Sequence, residues 1–400
     1  MASDMHERHF LMKRLNASTT QANITSDNLG SCTTQSNIND DYHAYQTSVS
    51  VEKYCIPVIC ILGFLGNTFS TATFLRRPLA KAPCSLYLAV RGISDNGFLL
   101  SLMLTWVSST FELRLSQVKV VCQCIIFLTY VCGCVSVWLC VFITFDNFIL
   151  IPSPLSAKRV CCVRVSKICT TVLVLFTVAV YNTSLWVIHA DCSHNTEYTR
   201  LTQFLVYTDT MLTLILPTVL IFTLLSVITY KVIHILHIRR IHMSLLEKAD
   251  SQRLGVLSKT PIPVAKVTKM LFIVSLVFLG LNLPIHIIRL WLLVGTFTKG
   301  GVIAPILIAT LQTAFQLLYY LSFSINIIVY AVFGSNFRRV FIKTFCCHCF
   351  NTKSAYSPTE AVNRVRHRRH SFTGIRPPTS SPENGLLVPS AERLVHSDCH

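Results

Sequence analysis

The chain predicts an all-α membrane protein, a bundle of seven transmembrane helices followed by a short amphipathic helix. Three observations carry that prediction. Of the 400 residues, 52% are hydrophobic and only 13% charged, where soluble chains hold about a quarter charged residues. Seven apolar stretches, near 54–75, 84–107, 122–151, 167–189, 202–235, 265–294 and 303–332, are each long enough to cross roughly 30 Å of hydrocarbon, which takes about 20 helical residues. Basic residues gather in alternate connections.

These stretches must be helical, because unpaired backbone groups cannot face lipid. The basic connections are Arg76, Arg77 and Lys81 after the first; Lys158, Arg159, Arg164 and Lys167 after the third; and eight Lys or Arg from Lys231 to Lys269 after the fifth. Between the sixth and seventh, Lys299 stands alone. The positive-inside rule then puts the N-terminus outside the plasma membrane and the C-terminus in the cytosol. The net charge of +17 is on this reading an inner-leaflet feature that meets membrane lipids and no nucleic acid.

The charge-interrupted start, MASDMHERHFLMKRL, lacks the apolar core of a secretory signal, so the first span directs insertion. Residues 1–53 read as an extracellular tail with sequons at Asn16 and Asn23, glycosylated if they reach the lumen. A third match, at Asn182, falls within the fourth stretch and is expected to be inaccessible.

Most of the 17 cysteines lie in apolar runs, where a thiol behaves as a small hydrophobe. The oxidising side offers Cys122, or Cys124 in its place, to Cys192. Residues 54–333 form the bundle and 334–349 the amphipathic segment. In the latter Phe337, Phe341 and Phe345 make a stripe flanked by Arg338, Arg339 and Lys343, suited to a helix on the membrane surface. Cys346, Cys347 and Cys349 behind it read as palmitoylation sites; metal binding by this CCHC run is the rival, but it lacks two separated ligand pairs. No cofactor and no resident metal are expected. The Ser-, Pro- and Arg-rich stretch 350–400, with Ser371 behind two arginines as a kinase site, has too little apolar surface to fold alone.

A set of landmarks carries a resemblance: Gly66-Asn67, Leu88-Ala89 with Asp95, Cys122 followed by Asp146, Pro217, Pro284, and Asn326 to Tyr330. In order and spacing these residues resemble the rhodopsin-like G-protein-coupled receptors over about 50–345. The texts of segments two and six look most like the neuropeptide receptors of invertebrates. The resemblance implies no enzyme activity. It implies an extracellular ligand, best a short peptide, that biases a two-state bundle toward a heterotrimeric G protein, with arrestin and kinases acting at the C-terminal tail. The alternative is a ligand-binding receptor-like protein with atypical or arrestin-only signalling.

Several positions depart from the family pattern. Asp-Arg-Tyr at the inner end of helix three is here Asp146-Asn147-Phe148, the tryptophan before the helix-six proline is Asn282, and the helix-seven proline is Ile327. Asp146, Asn147, Phe278, Asn282, Pro284, Asn326 and Tyr330 are the residues expected to move in signalling. Asn147 has no charge for Asp146 to hold, so the resting state lacks the Coulombic part of the family's latch; Asp146 as a solvated interfacial carboxylate is the bland alternative. Arg91 and Asp95 lie four apart, on one helix face. In the resembled family the matching Asp, with a Ser corresponding to Ser136, holds a sodium ion. A paired Arg91 would compete with that ion, whereas an Arg91 turned to cytosolic water would not.

The family's amine-binding aspartate corresponds to Thr129 and its Schiff-base lysine to Tyr320, so amine and retinal ligands are excluded. What remains in the outer half is Thr129, Tyr130, Asp209, His286, Arg289, Gln316 and Tyr320. An Arg for a carboxylate or amide oxygen and an Asp for a cationic side chain suit a short peptide. A transporter would need paired halves and broken-helix signals that the sequence lacks.

Overall fold

In a computed structural model of the chain, residues 32–111, 113, 118–150, 161–187, 199–249, 263–298 and 305–346 are described. Asn16, Asn23, Cys192, Cys347, Cys349, Ser371 and the whole of 350–400 lie outside them, as does the side chain of Cys346. All regular structure among the described residues is helical. The first span is α1 (Cys32–Phe74), the second α2 (Pro83–Thr110), the third α3 (Lys119–Leu150) and the fourth α4 (Val163–Tyr181). The fifth comprises α5 (Thr199–Asp209), a π-helical stretch (Thr210–Ile215) and α6 (Leu216–Ala249). The sixth is α7 (Pro263–Thr298); the seventh is α8 (Pro305–Ser324) with α9 (Asn326–Phe333), bent by 55°. A further helix, α10 (Ser335–Phe341), follows.

Among the described residues five spans are long and apolar enough to cross a membrane, and the bent α8–α9 pair makes a sixth. The 28-residue α2 is about 42 Å long but too polar to join them on composition. Its polar side chains are tolerated because α1, α3 and the seventh span pack around it, burying Ser85, Arg91, Ser94, Asp95 and Ser101 in protein instead of lipid.

One boundary departs from the sequence reading. Helix α1 begins at Cys32 instead of near 54: the polar run TTQSNINDDYHAYQ contains no proline or glycine to stop it. The indole of Trp106 on α2 donates to Lys53 O at 2.7 Å. The fourth span runs Val163–Val187: its helix pauses at Asn182, the C-cap of α4, and resumes over Ser184–Val187, so Asn182 lies inside the span, as the sequence reading has it.

The interior is pinned by side chains that satisfy displaced backbone groups. Pro217 has no N–H for the carbonyl of Thr213, and Leu216 donates to Met211 O, five residues back. Leu212 O is thereby freed, and the indole of Trp138 on α3 donates to it at 2.9 Å. In the seventh span the amide of Asn67 donates to Phe323 O at 2.8 Å, the carbonyl an unbroken helix would give to Ile327. Ser324 bonds back to Leu321 O, and the helix breaks at Ile325 without the proline that the family pattern has at 327. Spans one and seven meet closely: a Cβ on Gly63 would lie 2.6 Å from Ser324 Cβ, so glycine is required there. Phe98 on α2 stacks on Phe323 at 4.0 Å between ring centroids within a cluster with Ile56, Cys60, Leu99, Leu102 and Tyr320.

Candidate functional site in the bundle interior

The outer polar residues fall into three groups. The Thr129 hydroxyl on α3 lies 2.8 Å from both Ser101 Oγ and Ile125 O and donates its one proton to either, closing the α2–α3 seam. On the α3–α4–α5 side, Tyr130 stacks on Tyr181 at 5.2 Å. The Tyr181 hydroxyl donates to Asp209 Oδ1 at 2.9 Å, and Thr213 approaches the same oxygen at 3.4 Å. Asp209 is therefore a brace among spans three, four and five, and the expected salt link to a ligand's cation has a competitor built into the fold.

The third group joins spans six and seven. Arg289 Nη2 donates to Gln316 Oε1 at 3.1 Å, and its guanidinium lies 5.5 Å from the Tyr319 ring centroid. His286, 7% exposed, stands edge-on to Tyr319 at 6.4 Å, and its Nδ1 has no hydrogen-bond partner. A hydrogen-bonding nitrogen buried without a partner costs about 1–3 kcal/mol, which a bound polar group would recover.

Tyr320 does not belong to this group. It is 2% exposed and sits in the apolar cluster against spans one and two, because Gln316, Tyr319, Phe323 and Asn326 occupy the inward face at spacings of three and four. Tyr319, whose hydroxyl comes within 3.9 Å of the space beside Gly133 on α3, takes the place expected of its neighbour. Tyr181, the partner of both Tyr130 and Asp209, was also missed. An aromatic at the end of an apolar run gives no signal that its hydroxyl is bonded.

One layer deeper lies a charged cluster. Asp95 is fully buried; Ser136 donates to its Oδ1 at 2.5 Å, Asn326 to its Oδ2 at 2.7 Å, and Arg91 Nε lies 3.8 Å from Oδ2. Arg91 is 1% exposed, so the guanidinium is enclosed in the bundle and not turned out to water, and it lies 5.2 Å from the Phe278 ring centroid. The arrangement does not fit a sodium ion: both oxygens are engaged, and a guanidinium within 4 Å repels a second cation.

Toward the inner end, Asn282 Nδ2 donates to Phe278 O at 2.6 Å, and Ser322 reaches Asn282 Oδ1 at 3.5 Å, joining spans six and seven. Thr144 and Ser275 share a 2.7 Å hydrogen bond between spans three and six. Asn147, one turn beyond Thr144, is fully buried, and neither its Oδ1 nor its Nδ2 has a partner. Asp146 points elsewhere: the Cys161 thiol approaches its Oδ1 at 3.5 Å. Burial, and then the carboxylate's charge, push that thiol up to about 12, so it stays protonated and donates. Lys231 stands 4.2 Å over the Phe148 ring. Tyr330 packs edge-on to Phe74, and Phe337 of α10 packs on both rings. Arg338 donates to Ala331 O and Val332 O at the end of α9.

Cys122 is disulfide-bonded to a partner outside the described residues, while Cys124 is free and exposed. Of the two cysteines at the start of α3, Cys122 is thus the one that takes a disulfide.

The model of the rhodopsin-family seven-transmembrane receptors matches residues 66–330. The mouse protein named neuromedin-U receptor 1 is 26% identical over 319 residues, 73% of each chain. With the bent seventh span, the Asp95–Asn326 link and the Asn67–Phe323 bond all falling inside the matched stretch, the chain belongs to the rhodopsin family of seven-transmembrane receptors, which are not enzymes.

Proposed function

We propose that the chain is a plasma-membrane receptor for a short extracellular peptide, with its N-terminus outside, that passes a change of bundle conformation to a heterotrimeric G protein. The observation that carries this reading is the Arg289–Gln316–Tyr319 group with the unpartnered His286 Nδ1. It offers a cation, an amide and an aromatic face to a ligand's carboxylate, carbonyl or terminal amide, and binding energy there shifts a two-state equilibrium by differential affinity. The similarity to a receptor named for a neuropeptide supports the same reading, as does the likeness of segments two and six to neuropeptide receptors of invertebrates. Asp209 is here assigned to bracing instead of ligand contact.

The remaining assignments complete the reading. Cys122 pairs with Cys192, Asn16 and Asn23 carry glycans, and Cys346, Cys347 and Cys349 carry palmitate at the inner leaflet. The tail at 350–400 takes kinases and arrestin. The unpaired Asn147 favours one second reading, a receptor that signals through arrestin alone.

Screening amidated peptides against cells expressing the full chain, with calcium, cyclic-AMP and arrestin readouts, tests the proposal. A hit is expected to lose about tenfold to a hundredfold in affinity in Arg289→Gln, the worth of a hydrogen bond to a charged group, and less than about threefold in Asp209→Asn. Equal losses in the two variants would return Asp209 to the ligand site, and arrestin recruitment alone would select the second reading.

A further inference from the structure

Arg91 is the largest of the side chains buried to below 2% exposure, and its position invites an explanation beyond pairing with Asp95. A guanidinium has five N–H donors, yet neither Nε nor Nη1 has a hydrogen-bond partner. The group lies between the Asp95 carboxylate at 3.8 Å and the face of Phe278 at 5.2 Å, with Cys140 and Tyr330 close enough to act on its charge. Neither attraction satisfies those donors, so the cation's hold on this site weakens if either neighbour moves away.

The two neighbours differ in how firmly they are held. Asp95 is anchored by Ser136 on span three and Asn326 on span seven. Phe278 belongs to span six, below Pro284, a helix-interior proline at which α7 can bend. Any outward movement of the inner half of span six carries the ring from the guanidinium, while the carboxylate stays.

The arginine found beside the helix-three carboxylate in the family pattern is Asn147 here, and Asp146 is occupied by a thiol. Among the described residues the fully buried guanidinium is on span two, not span three. We propose that Arg91 is the resting-state clasp of this receptor, bridging the fixed Asp95 to the movable Phe278 and thereby holding span six closed. This deepens the proposed function and rests on it for its signalling consequence, though the clasp itself is a property of the bundle.

The test uses the purified full chain in lipid nanodiscs, with hydrogen exchange of the amides at 270–278 as a readout that requires neither ligand nor G protein. Phe278→Leu keeps the apolar bulk and removes the ring face; Arg91→Leu removes the cation; Phe278→Tyr keeps the ring. Each of the two leucine variants is expected to speed exchange by roughly threefold to thirtyfold, the range of a desolvated cation–π contact, with the double variant matching either single. Phe278→Tyr should exchange like wild type. Additive effects in the double variant, or wild-type exchange in Phe278→Leu, would overturn the clasp; if Arg91→Leu does not fold, the Phe278 pair decides alone. The same variants, mixed with purified heterotrimeric G proteins, are expected to raise unstimulated nucleotide exchange. Faster amide exchange with no response from any G protein would leave the clasp standing and remove the G-protein coupling proposed above.

Discussion

Replacing Asp95 by alanine is expected to destabilise the folded bundle by about 3–5 kcal/mol, the cost of leaving a buried charge without its partner. Arg91 would then be enclosed at 1% exposure with no carboxylate beside it, only the Phe278 ring and the neutral side chains of Cys140 and Tyr330. Ser136 and Asn326 would lose their acceptor as well. The effect is larger than for Arg91→Leu, because in that variant the carboxylate keeps both neutral donors. Combining Asp95→Leu with Arg91→Leu removes both charges and should recover more than half of the loss, since apolar replacement of a whole buried pair is often neutral. Thermal unfolding of the purified receptor and its variants measures all three. A double variant no more stable than Asp95→Ala would mean that the carboxylate acts without Arg91. Exchanging sodium for N-methylglucamine at fixed ionic strength should leave the wild-type melting temperature unchanged, since the guanidinium occupies the place of the ion.

Asn147→Leu should do the opposite to stability. Both polar atoms of Asn147 are buried without partners, and an apolar side chain of similar volume removes that penalty, a gain of about 1–3 kcal/mol. The same substitution should lower G-protein nucleotide exchange at least about tenfold, because the polar atoms left unsatisfied in the resting bundle are the ones available when the inner end opens, a charge-free contact worth about 1.4 kcal/mol or more. Gain in one readout with loss in the other is the expected signature of a site whose strain serves signalling. A variant that is more stable and signals normally would make Asn147 a mere packing defect.

The sequence and the structure agree where physics acts locally. Span lengths, the Arg91–Asp95 spacing and the inward stripe Asn326–Tyr330 all follow from helix periodicity and apolar length, and both are written in consecutive residues. The group on spans six and seven was legible through Arg289, His286 and Gln316, because a charged or polar residue in an apolar run marks itself. Tyr319 and Tyr320 could not be told apart by type. Only the rotation of α8, fixed by packing of Phe98 on Phe323, decides which tyrosine faces the interior. The bond between Asp209 and Tyr181 was hidden for the same reason: the tyrosine lies on another helix, and nothing in residues 199–215 announces it. The bend at Ile325 persists without the family's proline because Asn67, distant in sequence, takes the Phe323 carbonyl.

The most direct measurement is nucleotide exchange on purified heterotrimeric G proteins by the full-length chain in nanodiscs, stimulated by the peptide with the highest affinity in the amidated-peptide screen. The account predicts stimulated exchange that falls about tenfold or more in Arg289→Gln and unstimulated exchange that rises in Phe278→Leu. A peptide that binds the wild-type chain yet raises exchange on no G protein, with Phe278→Leu equally silent, would contradict it.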